Sequence, residues 1–138
     1  MAKIHELRAN PADTEKITIN LGYVDLGHID LMVREGFYSN RTDFIRTAIR
    51  SQLDRHNDVL KSSVARQQLD IGLRRYSREH LEAVQAAKET LHIQVLGLAI
   101  IADDVSPELA RETIATIQVL GALQASPAVK AALKDRIH

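Results

Sequence analysis

The chain offers little with which to do covalent chemistry. It has 138 residues and no cysteine, which excludes thiolate nucleophiles, disulfides and cysteine-held metals. Six histidines are present, but His80 and His92 stand alone, without the short His-x-His spacing that closes a metal site. Asp103-Asp104 lies just ahead of Ser106-Pro107, the setting of a solvated loop rather than of a hard-cation cage. No Ser/His/Asp arrangement, paired-carboxylate signal or phosphate-cradling loop can be recognised, and Gly72, Gly97 and Gly121 read as turn or close-packing positions. The expectation is a protein that binds rather than catalyses, with no metal and no cofactor. The polar residues that stand out lie near the amino terminus: Lys16, Thr18 and Asn20 alternate along one short segment, and Ser39-Asn40-Arg41 opens a helix.

The elements that carry these residues follow from periodicity. Residues 1–14 have no clear period and contain the turn signal Asn10-Pro11-Ala12-Asp13, which reads as a flexible arm. From Lys16 to Leu21 polar and apolar residues alternate, predicting a half-buried strand that Gly22 ends. Ile17, Ile19 and Leu21 share one face; Lys16, Thr18 and Asn20 share the other. No hairpin partner follows, so the ladder hydrogen bonds of this strand need a mate from elsewhere, and a second copy of the same segment is the economical one. Leu26, Ile29 and Val33 then keep helical spacing, with Gly36 as the stop. Ser39 is the expected cap of a second helix, with Asp43 in its first turn and Phe44, Ile45, Ala48 and Ile49 along its apolar stripe. Helical spacing persists through Leu60 and Val64, which makes residues 58–67 a helical connector.

The second half reads differently. Leu69, Ile71 and Leu73 alternate as a strand, and Ser77 caps a helix running to about Glu89. Leu91 to Gly97 is a further strand, Ser106-Pro107-Glu108 a helix start with proline at the first position. Ile117-Gln118-Val119-Leu120-Gly121 then repeats Ile93-Gln94-Val95-Leu96-Gly97 letter for letter, and Ser126-Pro127 repeats the helix start. The pattern predicts three small βα units over residues 68–138, stacked on a common core.

Composition sets bounds on function. Hydrophobic residues make up 45% and charged residues 26%, the balance of a globular protein. The apolar run Val95 to Ala102 is too short to span a bilayer, and the first residues lack the apolar core of a signal peptide, so a cytoplasmic location is expected. Eighteen basic residues meet eighteen acidic ones, and residues 1–57 carry eight of each. That balance argues against nucleic-acid binding through bulk charge alone.

Strand, helix, glycine turn and capped helix within about 40 residues form a recognisable arrangement. Residues 15–57 resemble the ribbon-helix-helix proteins, the Arc/MetJ/CopG superfamily, through Lys16-Ile17-Thr18-Ile19-Asn20-Leu21, the helix of Leu26, Ile29 and Val33, and Gly36 to Arg50. The resemblance implies an α+β fold in which an amino-terminal strand-helix-helix module intertwines with a second copy and a small domain of βα repeats follows. It implies that two strands pair antiparallel and enter the major groove of double-stranded DNA, with Lys16, Thr18 and Asn20 of each chain at base edges. It implies phosphate contacts from the start of the second helix, through Ser39, Asn40 and Arg41. The implied dimer core is Ile17, Ile19, Leu21, Leu26, Ile29, Val33, Phe44, Ile45, Ala48 and Ile49. Metal-responsive members of the family use a cysteine that this chain lacks.

The function expected is that of a sequence-specific repressor or autoregulator on a palindromic operator, acting as a homodimer or a higher closed oligomer. Two alternatives stand beside it. One is the antitoxin of a toxin–antitoxin pair, whose tail would bind a protein partner; the other is a DNA-partitioning or assembly scaffold. In each, residues 68–138 serve as an oligomerisation or partner domain.

Overall fold

The computed structural model describes residues 14–138, and the expected arm over 1–14 lies almost wholly outside them. The chain divides into two compact units, one ending at Ser62 and one spanning Ser63–His138. No helix among the described residues is long and apolar enough to cross a membrane.

In the first unit, α1 (Tyr23–Arg34) ends where Gly36 takes φ +85. Gly36 N–H donates to the Val33 carbonyl at 3.0 Å and Phe37 N–H to the Met32 carbonyl at 3.1 Å. This paired closure satisfies the last carbonyls of the helix and needs a left-handed residue, which glycine adopts without a Cβ penalty. After the turn comes α2 (Arg41–Arg55), and His56 separates it from α3 (Asn57–Gln67), which begins in the first unit and ends in the second. Residues 14–22 form neither helix nor strand. A strand is defined by its ladder, and no segment of the same chain pairs with this one among the described residues.

The second unit is a three-stranded parallel sheet in the order β1 (Asp70–Tyr76), β2 (Leu91–Ile101), β3 (Ile114–Gln124). Helices α4 (Arg78–Ala86), α5 (Pro107–Thr113) and α6 (Pro127–Ala132) follow the three strands in turn. The three expected βα units are therefore present. Each helix begins on a serine whose Oγ accepts a backbone N–H three residues on: Ser77 from His80, Ser106 from Leu109 and Ser126 from Val129, at 3.1–3.2 Å. The identical pentapeptides lie side by side in register, Ile93 against Ile117 through Gly97 against Gly121, and Gly72 continues the glycine row into β1. A sequence period thus becomes a lateral stack, as it does in repeat architectures.

Two boundaries differ from expectation. Helix α4 stops at Ala86 instead of Glu89, because Lys88 turns to φ 56 and Glu89 N–H closes on the Val84 carbonyl at 3.1 Å. Strand β2 does not end at Gly97 but runs through it to Ile101. The glycine adopts φ +137 within the ladder and lets the strand continue across a position closed to larger residues.

Alternation sends Ile93, Val95, Ala99 and Ile101 of β2 inward, where they meet Leu81, Leu109, Ala110, Val129 and Leu133 from the helices. All three helices pack on this one face. At the far edge, Ile137 bridges Ile117, and His138 N–H donates to the Ile117 carbonyl at 2.8 Å. Arg136 donates to the Ile114 carbonyl at 2.7 Å and also reaches the Arg111 carbonyl. Arg111 in turn pairs with Asp135 at 2.9 Å and donates to the Ala132 carbonyl at 2.6 Å. The last three residues so occupy part of the β3 edge that would otherwise stand open.

Candidate nucleic-acid interface

The residues with hydrogen-bonding chemistry gather at two places in the first unit. One is the helix-free segment, where Lys16, Thr18 and Asn20 are all exposed. The other is the start of α2, where the cap is Asn40 rather than the expected Ser39. Asn40 Oδ1 accepts the Asp43 N–H at 2.8 Å, and Asp43 Oδ2 accepts the Ser39 N–H at 2.9 Å. The cap thus sits one residue later than the serine suggests, and the Asp43 carboxylate reaches back past it to the Ser39 N–H rather than to that of Asn40. Serine and asparagine are nearly equal as caps; the acid at Asp43, three residues beyond Asn40, decides between them.

Arg41, the first residue of α2, does not simply extend into solvent. Its Nε and Nη2 each lie 2.8 Å from a carboxylate oxygen of Asp30 on α1. The hydrogen bond from Arg41 holds the Asp30 carboxyl below the usual aspartate range, and the same bond raises Arg41. This bidentate fork ties the two helices across the Gly36 turn. Tyr38 and Phe44 brace the same turn edge to face, with centroids 4.9 Å apart. Asp30 escaped the sequence reading: eleven residues from Arg41, it obeys no helical or strand spacing.

The core expected for a dimer is incomplete within one chain. Ile29 is buried; Leu26, Val33, Phe44 and Ile45 are half-buried; Ala48 and Ile49 are exposed. Ile17 and Ile19 are 72% and 61% exposed, and Leu21, Val24, Leu31 and Leu53 are also open. Two short helices cannot enclose this much apolar surface by themselves.

An α+β chain is thus defined, with a capped helix pair that underfills its own core followed by alternating βα units. Residues 12–130 match the Ribbon-Helix-Helix transcriptional regulator family, and the chain belongs to it. That membership makes it a DNA-binding regulatory protein and not an enzyme. The match runs well past the segment that carried the resemblance and takes in most of the βα unit. Neither a curated protein nor a solved structure matches the chain significantly.

Proposed function

We propose that the chain is a sequence-specific transcriptional regulator that grips double-stranded DNA as a homodimer. The observation that carries this reading is the apolar surface left on the first unit, with Ile17 and Ile19 in solvent beside a half-filled helix pair. Antiparallel pairing of residues 16–21 with a second copy completes both ladders and lays Ile17, Ile19 and Leu21 on the joint helical core. Burying an isoleucine contributes about 1.5–3 kcal/mol, so these residues alone supply a strong drive to pair. The opposite edge then presents Lys16, Thr18 and Asn20 twice over. Lysine donates to guanine O6 and N7, asparagine pairs with adenine N6 and N7, and threonine serves either base or a thymine methyl.

At the start of α2 the backbone N–H groups and helix dipole suit a phosphate, assisted by Ser39 Oγ and the Asn40 amide. Arg41 keeps Nη1 for that contact while Nε and Nη2 hold Asp30. Phosphate contacts fix the register on the duplex and base contacts choose the sequence.

Selection of bound duplexes from random sequence, followed by anisotropy titration, tests the reading. A palindromic site bound by a dimer is expected. Lys16→Ala and Thr18→Ala should each cost roughly 1–3 kcal/mol of discrimination against a mismatched duplex while the helical content is kept. Unchanged sequence preference in both variants would remove the ribbon from the reading.

A further inference from the structure

Helices α4, α5 and α6 cover one face of the sheet; on the other, the end of α3 reaches in only at one side, where Gln118 Nε2 donates to Gln67 Oε1 at 3.1 Å, and the rows beyond it stay open. Parallel sheets are almost always covered on both faces. Here Ile71, Leu73 and Leu120 are 63%, 51% and 50% exposed. Leu96 and Leu98 lie between them on β2 and Ala122 beside Leu120 on β3, all half-buried. Register places these side chains in two cross-strand rows, Ile71–Leu96–Leu120 and Leu73–Leu98–Ala122.

We infer that this face packs against the same face of a second copy, the one already held by the amino-terminal pairing. The inference rests on the dimer proposed above. Charge selects the occupant. The two rows contain no ionisable group, and the next row, Arg75–Ile100–Gln124, adds a single cation at one end, so the centre of the face meets its copy without repulsion. The helix side carries Glu82, Asp104, Glu108 and Glu112 around one groove, with Arg78, paired to Glu82 at 3.2 Å, as the cation lining it, and this net negative groove would repel its own copy.

Size sets the condition. Three strands about 4.8 Å apart, each offering about seven residues at about 3.3 Å, give roughly 330 Å² in projection per copy. A pair of faces therefore buries on the order of 700 Å², short of the ~1,000 Å² that a freely associating interface needs. Held by the ribbon, the second face meets its copy within one assembly rather than from free solution, and a contact too weak for free association can then close. The face is thus a second latch that works only within the paired chains.

The cysteine-free sequence makes the test direct. Leu120→Cys in the full chain places a unique thiol on the open face, and Glu82→Cys places one on the exposed helix side as the comparator. In the dimer, Leu120→Cys should react with a thiol-specific reagent more than about tenfold slower than Glu82→Cys, the slowing that a locally closed contact imposes. Combining Leu120→Cys with Ile19→Asp, which splits the ribbon, should return the rate to that of the comparator. A dimer by sedimentation with a fast Leu120→Cys thiol overturns the latch and leaves the ribbon standing. A monomeric unaltered chain overturns the ribbon and the latch with it. A slow thiol that stays slow in the monomeric Ile19→Asp chain shows the face covered by its own chain. A slow thiol that speeds up as a tetramer dilutes to dimers shows it covered by another pair. Either result also overturns the proposal.

Discussion

Arg41 and Asp30 meet fork to fork across the turn between the first two helices, with two 2.8 Å contacts. The arginine proposed to touch phosphate is therefore already committed to a carboxylate of its own chain. The fork ties α1 to α2, and it largely balances the arginine's charge at the surface proposed to meet DNA. Asp30→Asn should release the guanidinium toward the duplex, and DNA affinity should hold or rise at low salt. Arg41→Lys, which keeps the charge but cannot fork, should bind less well than the parent. Fluorescence anisotropy at two salt concentrations separates these outcomes, because a freed cation steepens the salt dependence.

The same pair has a pH signature. Asp30 has its folded-state pKa lowered, chiefly by the hydrogen bond from Arg41. Its contribution is therefore present above the unfolded aspartate pKa and is lost as the pH falls through the lower folded value. The α1–α2 tie should be intact at neutral pH and release only in acid below the ordinary aspartate range. Carboxyl-detected NMR titration should show Asp30 among the lowest aspartate midpoints, returning to the ordinary range in Arg41→Ala. Asp135, held down first by its bond from Arg111, should behave likewise at the far end of the chain.

Asp43 works in two directions at once. Its carboxylate accepts the Ser39 N–H and stabilises the helix start, yet it also places negative charge where the phosphate contact is proposed. Asp43→Asn keeps an acceptor oxygen for Ser39 and removes the charge. DNA affinity should rise by about threefold per protomer, the scale of one charge at a helix terminus. Asp43→Ala should lose helix stability as well, a difference visible in thermal melts monitored by circular dichroism.

How much of this was legible in the residues depends on the range of the forces involved. Local rules were enough for the βα half. Serine caps, proline at the first helical position and alternation placed all three units, and the repeated pentapeptide foreshadowed the in-register β2–β3 pairing. Local rules also found Gly36 as the stop of α1. They misplaced the α2 cap by one residue, because Ser39 and Asn40 have nearly equal capping strength and only the Asp43 bonds, its N–H to Asn40 Oδ1 and its carboxylate from the Ser39 N–H, separate them. The Arg41–Asp30 fork was invisible, since it depends on the angle between two helices. The segment from Lys16 to Leu21 reads as a strand in sequence yet forms no ladder in a single chain, because alternation reports which face is apolar and says nothing of where a hydrogen-bonding mate lies.

The serine caps give a graded stability test. Ser106 Oγ accepts the Leu109 N–H at 3.1 Å at the head of the middle helix, flanked by stacked units on both sides. Ser106→Ala should destabilise the chain by about 1 kcal/mol, with Ser106→Gly costing less. Ser126→Ala, on the terminal helix, should cost no more than Ser106→Ala. Chemical denaturation of each variant measures the difference, and equal midpoints for Ser106→Ala and the parent would show that the cap bond is not needed.

The glycine row makes a sharper demand. A Cβ on Gly97 would press into the carbonyl oxygen of Gly72, and one on Gly121 into that of Gly97, both well inside contact distance and both against backbone that cannot swing aside. A Cβ on Gly72 would meet nothing within 4 Å, although its φ of +116 still disfavours a side chain. The three positions look alike in sequence and should respond differently. Gly72→Ala should cost about 1–3 kcal/mol, the strain of an unfavourable backbone conformation. Gly97→Ala and Gly121→Ala should cost that and more, because the strands must also move apart and give up ladder bonds on either side. Gly97 has a neighbouring strand on both flanks, so its variant should lose the most. Hydrogen exchange on β2 amides would read this directly, with protection falling furthest in Gly97→Ala. If Gly72→Ala opened the sheet as widely as the other two, close backbone approach would not be the reason for the row.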